Sequence, residues 1–391
     1  MSSRFLPAVA AVLISLSLNS SVPDLAEGQW VPEAAGAARK KASSKAPPKA
    51  PRHAHAVRSA VPSPSLPDDP SVPLPQAWGR RVDAFLKAAR PAHGAFVALD
   101  PATGKVLVSA EYAAPGARFQ HPATDAGFPA ASVFKIVTSS ALLENTTVGP
   151  GTTTCYHGGS SWLDVSNIAD SRRDKACRTL SAAFAHSTNA IFGKLAVKHL
   201  DADVLLRQAE SLGFNHQIST DGLRTRSVAH KALGDLALAR MAAGFINANM
   251  SPLAGAVMAA IIANDGVRPA GISLDGVPGT EMRVLKPETV ERLRGMMVET
   301  SSGGTGTKYF SGLPSRYGGG RVAVKSGTLN SRDGSGLHNT WMVGFFPASK
   351  PELAFAALVS SNGPGPVKAG HLARWALETF VTLKKNRLPG S

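Results

Sequence analysis

The sequence predicts an α+β domain behind an extended amino-terminal tract. Strand-like segments cluster at the two ends of the folded part, and helical patterning fills the middle, from Ser132 to about Ile262. The chain is 43% hydrophobic and only 18% charged, so it can bury a substantial core. Two early strands, three late ones and helices between them imply a sheet assembled from distant chain segments.

The elements follow in order. Residues 77–89 carry Trp78, Val82, Phe85 and Leu86 at helical spacing. GAFVALD (94–100) reads as a strand, PATG (101–104) as a turn and KVLVSA (105–110) as the return strand. Near the other end, GRVAVKSGT (320–328), TWMVGFFP (340–347) and ELAFAALVS (352–360) give three more strands. HLARWALETFVTL (371–383) closes the chain as a helix with Leu372 and Trp375 on its apolar face. No internal repeat is visible, and one domain over 76–391 is the economical reading.

Upstream, FLPAVAAVLISLSL (5–18) is apolar apart from two serines and follows Arg4. Fourteen helical residues rise only ~21 Å against a ~30 Å hydrocarbon core, which fits an export signal. Ser20 has Leu18 two positions before it, so no clear cleavage site follows. Residues 1–22 are therefore expected to be a signal peptide or an uncleaved signal anchor. No cysteine follows, which excludes a lipoprotein. Residues 23–75 read as a disordered Pro/Ala/Lys linker: nine of the 28 prolines fall between Pro47 and Pro75, and 39–58 hold seven basic residues and no acid. The expected location is outside the cytoplasmic membrane, periplasmic or anchored to the inner membrane, with membrane contact only through the amino-terminal segment.

Of the net charge of +15, +3 lies before Gln76 and +12 in the folded part. Such a balance suits an anionic polymer or surface. Aromatics are only 6% and none interleaves with a basic run, so no nucleic-acid partner is expected. Two cysteines, Cys155 and Cys177, exclude a disulfide framework and a four-cysteine zinc site. There is no HExxH, the histidines do not cluster, and GGTGTK (303–308) lacks phosphate-loop spacing, so no metal or cofactor is expected.

Three polar motifs interrupt this pattern. Ser132-Val-Phe-Lys135 opens an apolar helix, so serine and lysine share one face and a neutral amine there could take the serine proton. Ser187-Thr-Asn189 sits in an apolar helical run, where both types commonly cap or end helices. Lys325-Ser326-Gly327-Thr328 lies on an apolar strand; its hydroxyls and lysine suit a carboxylate, its glycine suits close approach of a ligand backbone, and a charged, bulged edge strand is the ordinary alternative. Each motif alone has such a structural explanation. His186 has no identifiable partner and reads as structural or solvent-facing.

Taken in order, the three resemble the motif set of penicillin-interactive serine enzymes. The surrounding segments AFVALDPATGKVLVSA, TLSAAFAHSTNAIFGKLA, SPLAGAVMAAIIANDGVRP (251–269), GTGTKYF (304–310) and TWMVGFFP resemble the transpeptidase domain of high-molecular-mass penicillin-binding proteins over about residues 92–385. The resemblance implies a five-stranded antiparallel sheet flanked by terminal helices, with an inserted all-helical subdomain. It implies a serine D,D-transpeptidase, or D,D-carboxypeptidase, acting on D-Ala-D-Ala stem peptides of peptidoglycan and acylated by β-lactams. Ser132 would be the nucleophile and Lys135 its base, with Lys325 depressing the Lys135 pKa by like-charge repulsion. Ser187 would relay a proton to the leaving D-alanine, and Asn189 would hold Lys135 and the substrate backbone. Lys325, Ser326 and Thr328, around Gly327, would bind the terminal carboxylate, and the N–H groups of Ser132 and Thr328 would form the oxyanion hole. A separate glycan polymerase is a possible partner, since nothing here resembles a glycosyltransferase domain. Cys155 and Cys177, 22 apart, are expected to pair in an oxidising compartment, with two isolated thiols the competing reading.

Two rivals remain. One class of serine β-lactamases deacylates with a Glu-x-x-Leu-Asn glutamate, and none of Glu210, Glu281, Glu288, Glu291 or Glu299 starts that pattern. A wall- or β-lactam-sensing module that acylates once would keep all three motifs intact.

Overall fold

The structure, a computed structural model, describes residues 61–387 apart from Ser161 and 314–319. The export segment and the linker up to Ala60 lie outside the described residues. Five strands form the main sheet: β1 (His93–Leu99), β2 (Val106–Ala113), β3 (Ala323–Asn330), β4 (Leu337–Phe346) and β5 (Leu353–Asn362). Their order is β3-β4-β5-β1-β2 and every neighbouring pair is antiparallel. The β1–β5 pairing, with Val97 opposite Ala356, joins the two ends of the chain.

Both faces of the sheet are covered, so β1 is buried at all seven positions instead of alternating with polar residues. Side-chain alternation instead sorts residues between two cores. Phe96 and Ala98 join a cluster with Trp78, Phe85, Phe355, Leu372 and Phe380, under helices α1 (Leu74–Ala89) and, at the chain's end, α9 (Ala369–Lys385). Trp78 donates its indole N–H to Ala376 O at 2.9 Å, locking the two terminal helices together. Ala95, Val97 and Leu99 face the interposed region, whose principal helices are α2 (Lys135–Asn145), α3 (Leu180–Ala185), α4 (Asn189–His199), α5 (Ala202–Ser211), α6 (Asp235–Ala243), α7 (Pro252–Ala263) and α8 (Pro287–Ser302). All twelve residues of α7 are buried, and the Ser251 hydroxyl caps it by accepting from Ala254 N–H.

The interposed region is helical where it packs, but it is not wholly helical as the sequence reading expects. Short ladders tie its margins: Phe128–Pro129 and Val228–Ala229 flank Ala248–Met250, and Thr153–Tyr156 pairs with Ala176–Thr179. Ladders this short carry no period-2 signal; in the first, backbone groups drawn toward the core must pair, whereas the second lies nearer the surface. In the second ladder Cys155 stands directly opposite Cys177, and the two form a disulfide.

The last residues assigned to the linker lie on the domain. Arg81 donates to Leu66 O at 2.8 Å, and the Asp68 carboxylate accepts from Arg387 at 3.0 Å and Asn386 at 3.3 Å. Helix α1 begins at Leu74, three residues before the helical spacing expected over 77–89, because Pro75 fits its first turn, where no N–H is needed.

Candidate active site

The three motifs come together at the boundary between the sheet and the helical region. Ser132 lies on a 3₁₀ turn, Ala131–Phe134, that runs into α2, whose first residue is Lys135. A 3₁₀ turn repeats every three residues, so Lys135 eclipses Ser132 more closely than an α-turn would allow. Their Oγ and Nζ are 2.8 Å apart. The turn enters through Ala131 at φ +50°, a left-handed conformation uncommon for a residue with a side chain. Gly244, the residue ending α6, packs against it at φ +86°; a Cβ there would sit 1.9 Å from Ala131 O and 3.2 Å from Ser132 N.

Lys135 is fully buried. Its amine, already in contact with Ser132 Oγ, donates to Asn189 Oδ1 at 2.7 Å and to Ala243 O at 2.8 Å. The Asn189 amide is oriented by its Nδ2, which donates to Ser160 O at 2.7 Å. Asn189 is the first residue of α4, and Ser187 stands in the tight link after α3 at φ +57°. The expected helical run is therefore broken at this motif, and the break turns both polar side chains toward the cleft.

Lys325 comes from β3, the edge strand, and is also fully buried. Its ammonium donates to Ser187 Oγ at 3.1 Å and to Ser326 O at 2.9 Å, and lies 5.4 Å from the Phe184 ring centroid. Gly327 lets β3 lie against the turn that carries Ser132: a Cβ there would meet Val133, Ala131 and Trp341 side chains at 3.2–3.3 Å. Ser326 Oγ is 2.6 Å from Thr305 Oγ1. Ser132, Ser187, Asn189, Ser326, Gly327 and Thr328 line one cleft of about 280 Å³, with the two lysine amines beneath them.

Burial holds the Lys135 amine well below the ordinary lysine range, and the Lys325 charge adds to the shift. The like-charge repulsion expected from Lys325 is present, and burial is the larger cause. Burial also pushes Lys325 down, to about 7. His186 is exposed.

Several neighbours carry no signal of their own in the sequence. Ala243 contributes a main-chain carbonyl, which any residue could supply. Thr305 falls in the GTGTKYF stretch, where only its nearness to Ser326 reveals it. Lys308, Tyr309 and Lys368 also line the cleft.

The family model described as Penicillin binding protein transpeptidase domain matches residues 94–376, more than half of the chain. The chain belongs to the penicillin-binding protein transpeptidase family. It is 26% identical over 323 residues to the peptidoglycan D,D-transpeptidase PbpA of Mycobacterium tuberculosis, covering 70% of this chain and 62% of that protein. The chain thus spans less than two thirds of the curated relative it matches. Among solved structures, the D,D-transpeptidase domain of a peptidoglycan glycosyltransferase from Eggerthella lenta superposes with a TM-score of 0.62 at 25% identity, covering 79% of this chain and 82% of that one. An imipenem acyl-enzyme complex of penicillin-binding protein A from M. tuberculosis gives 0.57 at 24% identity, covering 79% and 78%.

Proposed function

We propose that this chain is a serine D,D-transpeptidase that cross-links peptidoglycan through an acyl-enzyme at Ser132. The observation that carries this reading is the set of partners around Lys135. A neutral amine has two N–H donors and one lone pair. Asn189 Oδ1 and Ala243 O can only accept, so they take both donors, and the lone pair is left for the Ser132 hydroxyl at 2.8 Å. Burial beside a second lysine favours that neutral form.

In the proposed reaction Lys135 takes the Ser132 proton as Oγ attacks the carbonyl of the penultimate D-alanine. An extended stem peptide lies along the open edge of β3, adding to the sheet as a further strand. Its terminal carboxylate meets Ser326, Thr328 and the Lys325 charge, with Gly327 allowing close approach. The N–H groups of Ser132 and Thr328 receive the developing oxyanion; one such donor is worth ~3 kcal/mol. Ser187, hydrogen-bonded to Lys325, passes a proton to the leaving D-alanine. An acceptor amine then completes cross-linking, and water in its place would give the carboxypeptidase outcome. β-Lactams present a carboxylate beside a strained amide and would acylate the same serine; penicillin-binding protein A of M. tuberculosis forms an acyl-enzyme with imipenem.

The rest of the architecture is proposed with it. Residues 1–22 export or anchor the chain, 23–75 tether it, and 76–391 form the catalytic domain, working outside the cytoplasmic membrane, where a separate polymerase could supply glycan. The test is intact mass before and after penicillin. Wild type gains one penicilloyl adduct, and Ser132→Ala gains none. Labelling that survives in Ser132→Ala, or fails in folded wild type, refutes the reading.

A further inference from the structure

One little-exposed ion pair stands outside the chemistry above. Lys194, on α4 five residues after Asn189, and Asp174 have side chains only 3% and 8% exposed. The ammonium of one donates to the carboxylate of the other. Lys194 also donates to Cys155 O at 3.2 Å, and the exposed Asp170 carboxylate lies 3.6 Å from it. Asp174 accepts from Ser171 N–H at 2.8 Å and from His157 Nδ1 at 2.6 Å. A carboxylate only accepts, so that ring nitrogen carries the proton. Burial raises the Asp174 carboxyl, but the hydrogen bonds from His157, Lys194 and Ser171 outweigh it and hold the group well below the ordinary carboxylate range. Asp174 and Lys194 therefore stay charged and paired, and they form a fixed anchor beside α4.

His157 connects this anchor to the active site. The disulfide-bridged ladder ends at Tyr156, and His157, Gly158, Gly159 and Ser160 follow it to the start of α4. Gly159, at φ +67°, lies so close to that helix that a Cβ would be 2.8 Å from the Ala190 Cβ. Ser160 then supplies the carbonyl that accepts from Asn189 Nδ2. Two successive glycines give this segment little stiffness of its own. Its ends are held instead: His157 by Asp174, and Leu163 by Arg240, whose Nε donates to Leu163 O at 2.9 Å.

The Ser160 carbonyl decides which way the Asn189 amide faces. It can only accept, so it takes Nδ2 and leaves Oδ1 for Lys135. Turned over, the amide would present an N–H to the Lys135 amine and occupy its lone pair. Ser132 would then have no base.

We propose that His157 is a positioning residue for the Ser132 proton transfer, holding the Ser160 carbonyl on the Asn189 amide from its anchor on the Asp174–Lys194 pair. The inference rests on the acyl-transfer reading, in which Lys135 is the base. No bond to His157 forms or breaks in the reaction; the proton still passes from Ser132 Oγ to Lys135 Nζ.

The test compares penicillin acylation rates per folded molecule across pH in wild type, His157→Leu and His157→Asn, with folding followed by circular dichroism. Leucine fills the space without a donor, and asparagine places an N–H where Nδ1 stood. His157→Leu slows acylation about tenfold where Lys135 is neutral. The deficit shrinks toward acid pH, because a protonated Lys135 has three N–H donors and itself holds Oδ1 in place. His157→Asn stays within about twofold of wild type. Gly159→Ala pushes the segment off Ala190 without touching the ion pair. It gives the same pH-dependent deficit, and it keeps the test decisive if His157→Leu does not fold. A deficit equal at every pH would assign His157 to stability alone and overturns the inference. So does the absence of a deficit, or a His157→Asn rate as low as that of His157→Leu. Failure of folded wild type to form any acyl-enzyme refutes the acyl-transfer reading itself, and the positioning role with it.

Discussion

The two faces of the five-stranded sheet are buried equally well and filled with different chemistry. Under α1 and α9 the core is apolar, built on Trp78, Phe85, Phe96, Phe355 and Phe380. On the other face, Lys135 and Lys325 are both at 0% exposure among Phe134, Phe184 and Phe192. Burying a large apolar side chain contributes ~1.5–3 kcal/mol, whereas burying an ammonium costs free energy unless it is paired or loses its charge. Neither of these two lysines has a carboxylate partner among the described residues, and both are shifted toward the neutral amine. Both faces hold apolar core, and the one that carries the cleft gives up part of its stability to two buried amines.

The sharpest way to break this contrast is at Lys135. Lys135→Ala is expected to slow β-lactam acylation by about 10²–10⁴-fold while circular dichroism stays native. A rate within about tenfold of wild type would mean that another group takes the proton. The wild-type pH profile sharpens the same point. Lys135 must be neutral, so the rate rises with pH through an ionisation well below lysine's usual ~10.4. In its proposed role Lys325 is a cation, so the rate is expected to fall as pH rises through about 7. Acylation rates that do not change across that range would contradict both assignments.

The opposite face should respond the other way. Phe96→Ala is expected to cost ~3–5 kcal/mol in denaturant unfolding and to leave the acylation rate per folded molecule unchanged. A fall in that rate would show that the apolar face also positions the site.

The smallest effect is expected at the amino end. A chain beginning at Gln76 loses the Asp68 contacts to Arg387 and Asn386 and the Leu66 carbonyl contact to Arg81. It should be about 1 kcal/mol less stable than one beginning at Val61, by thermal unfolding, with equal acylation rates. Equal stabilities would show that residues 61–75 only rest on the surface.

Much of this contrast was legible in the sequence, and the remainder has identifiable causes. Trp78, Val82 and Phe85 mark α1 through their spacing, and the five strands read correctly to within a few residues. Ser132 and Lys135 are visible as a pair because three residues separate them. The Ala243 carbonyl is invisible because a main-chain group has no signature, and Gly244 is one of 37 glycines until Ala131 is seen against it. Residues 61–73 look like linker because proline, serine and aspartate do favour extended chain. Their docking depends on Arg387, 319 positions from Asp68.

The position of β3 at the sheet's edge has a further consequence. An unpaired strand edge is a template for any extended chain, including another copy of the same protein, and proteins usually blunt such edges with protruding charges, prolines or bulges. Here Lys325 is turned inward and Gly327 keeps the strand flush with the turn that carries Ser132, so neither residue blunts the edge. Features that make the edge receptive to a peptide also make it adhesive, and a ligand lying along it would act as a removable cap. The empty enzyme should accordingly be more prone to self-association than the acylated one, so that occupancy of the cleft governs colloidal behaviour as well as chemistry.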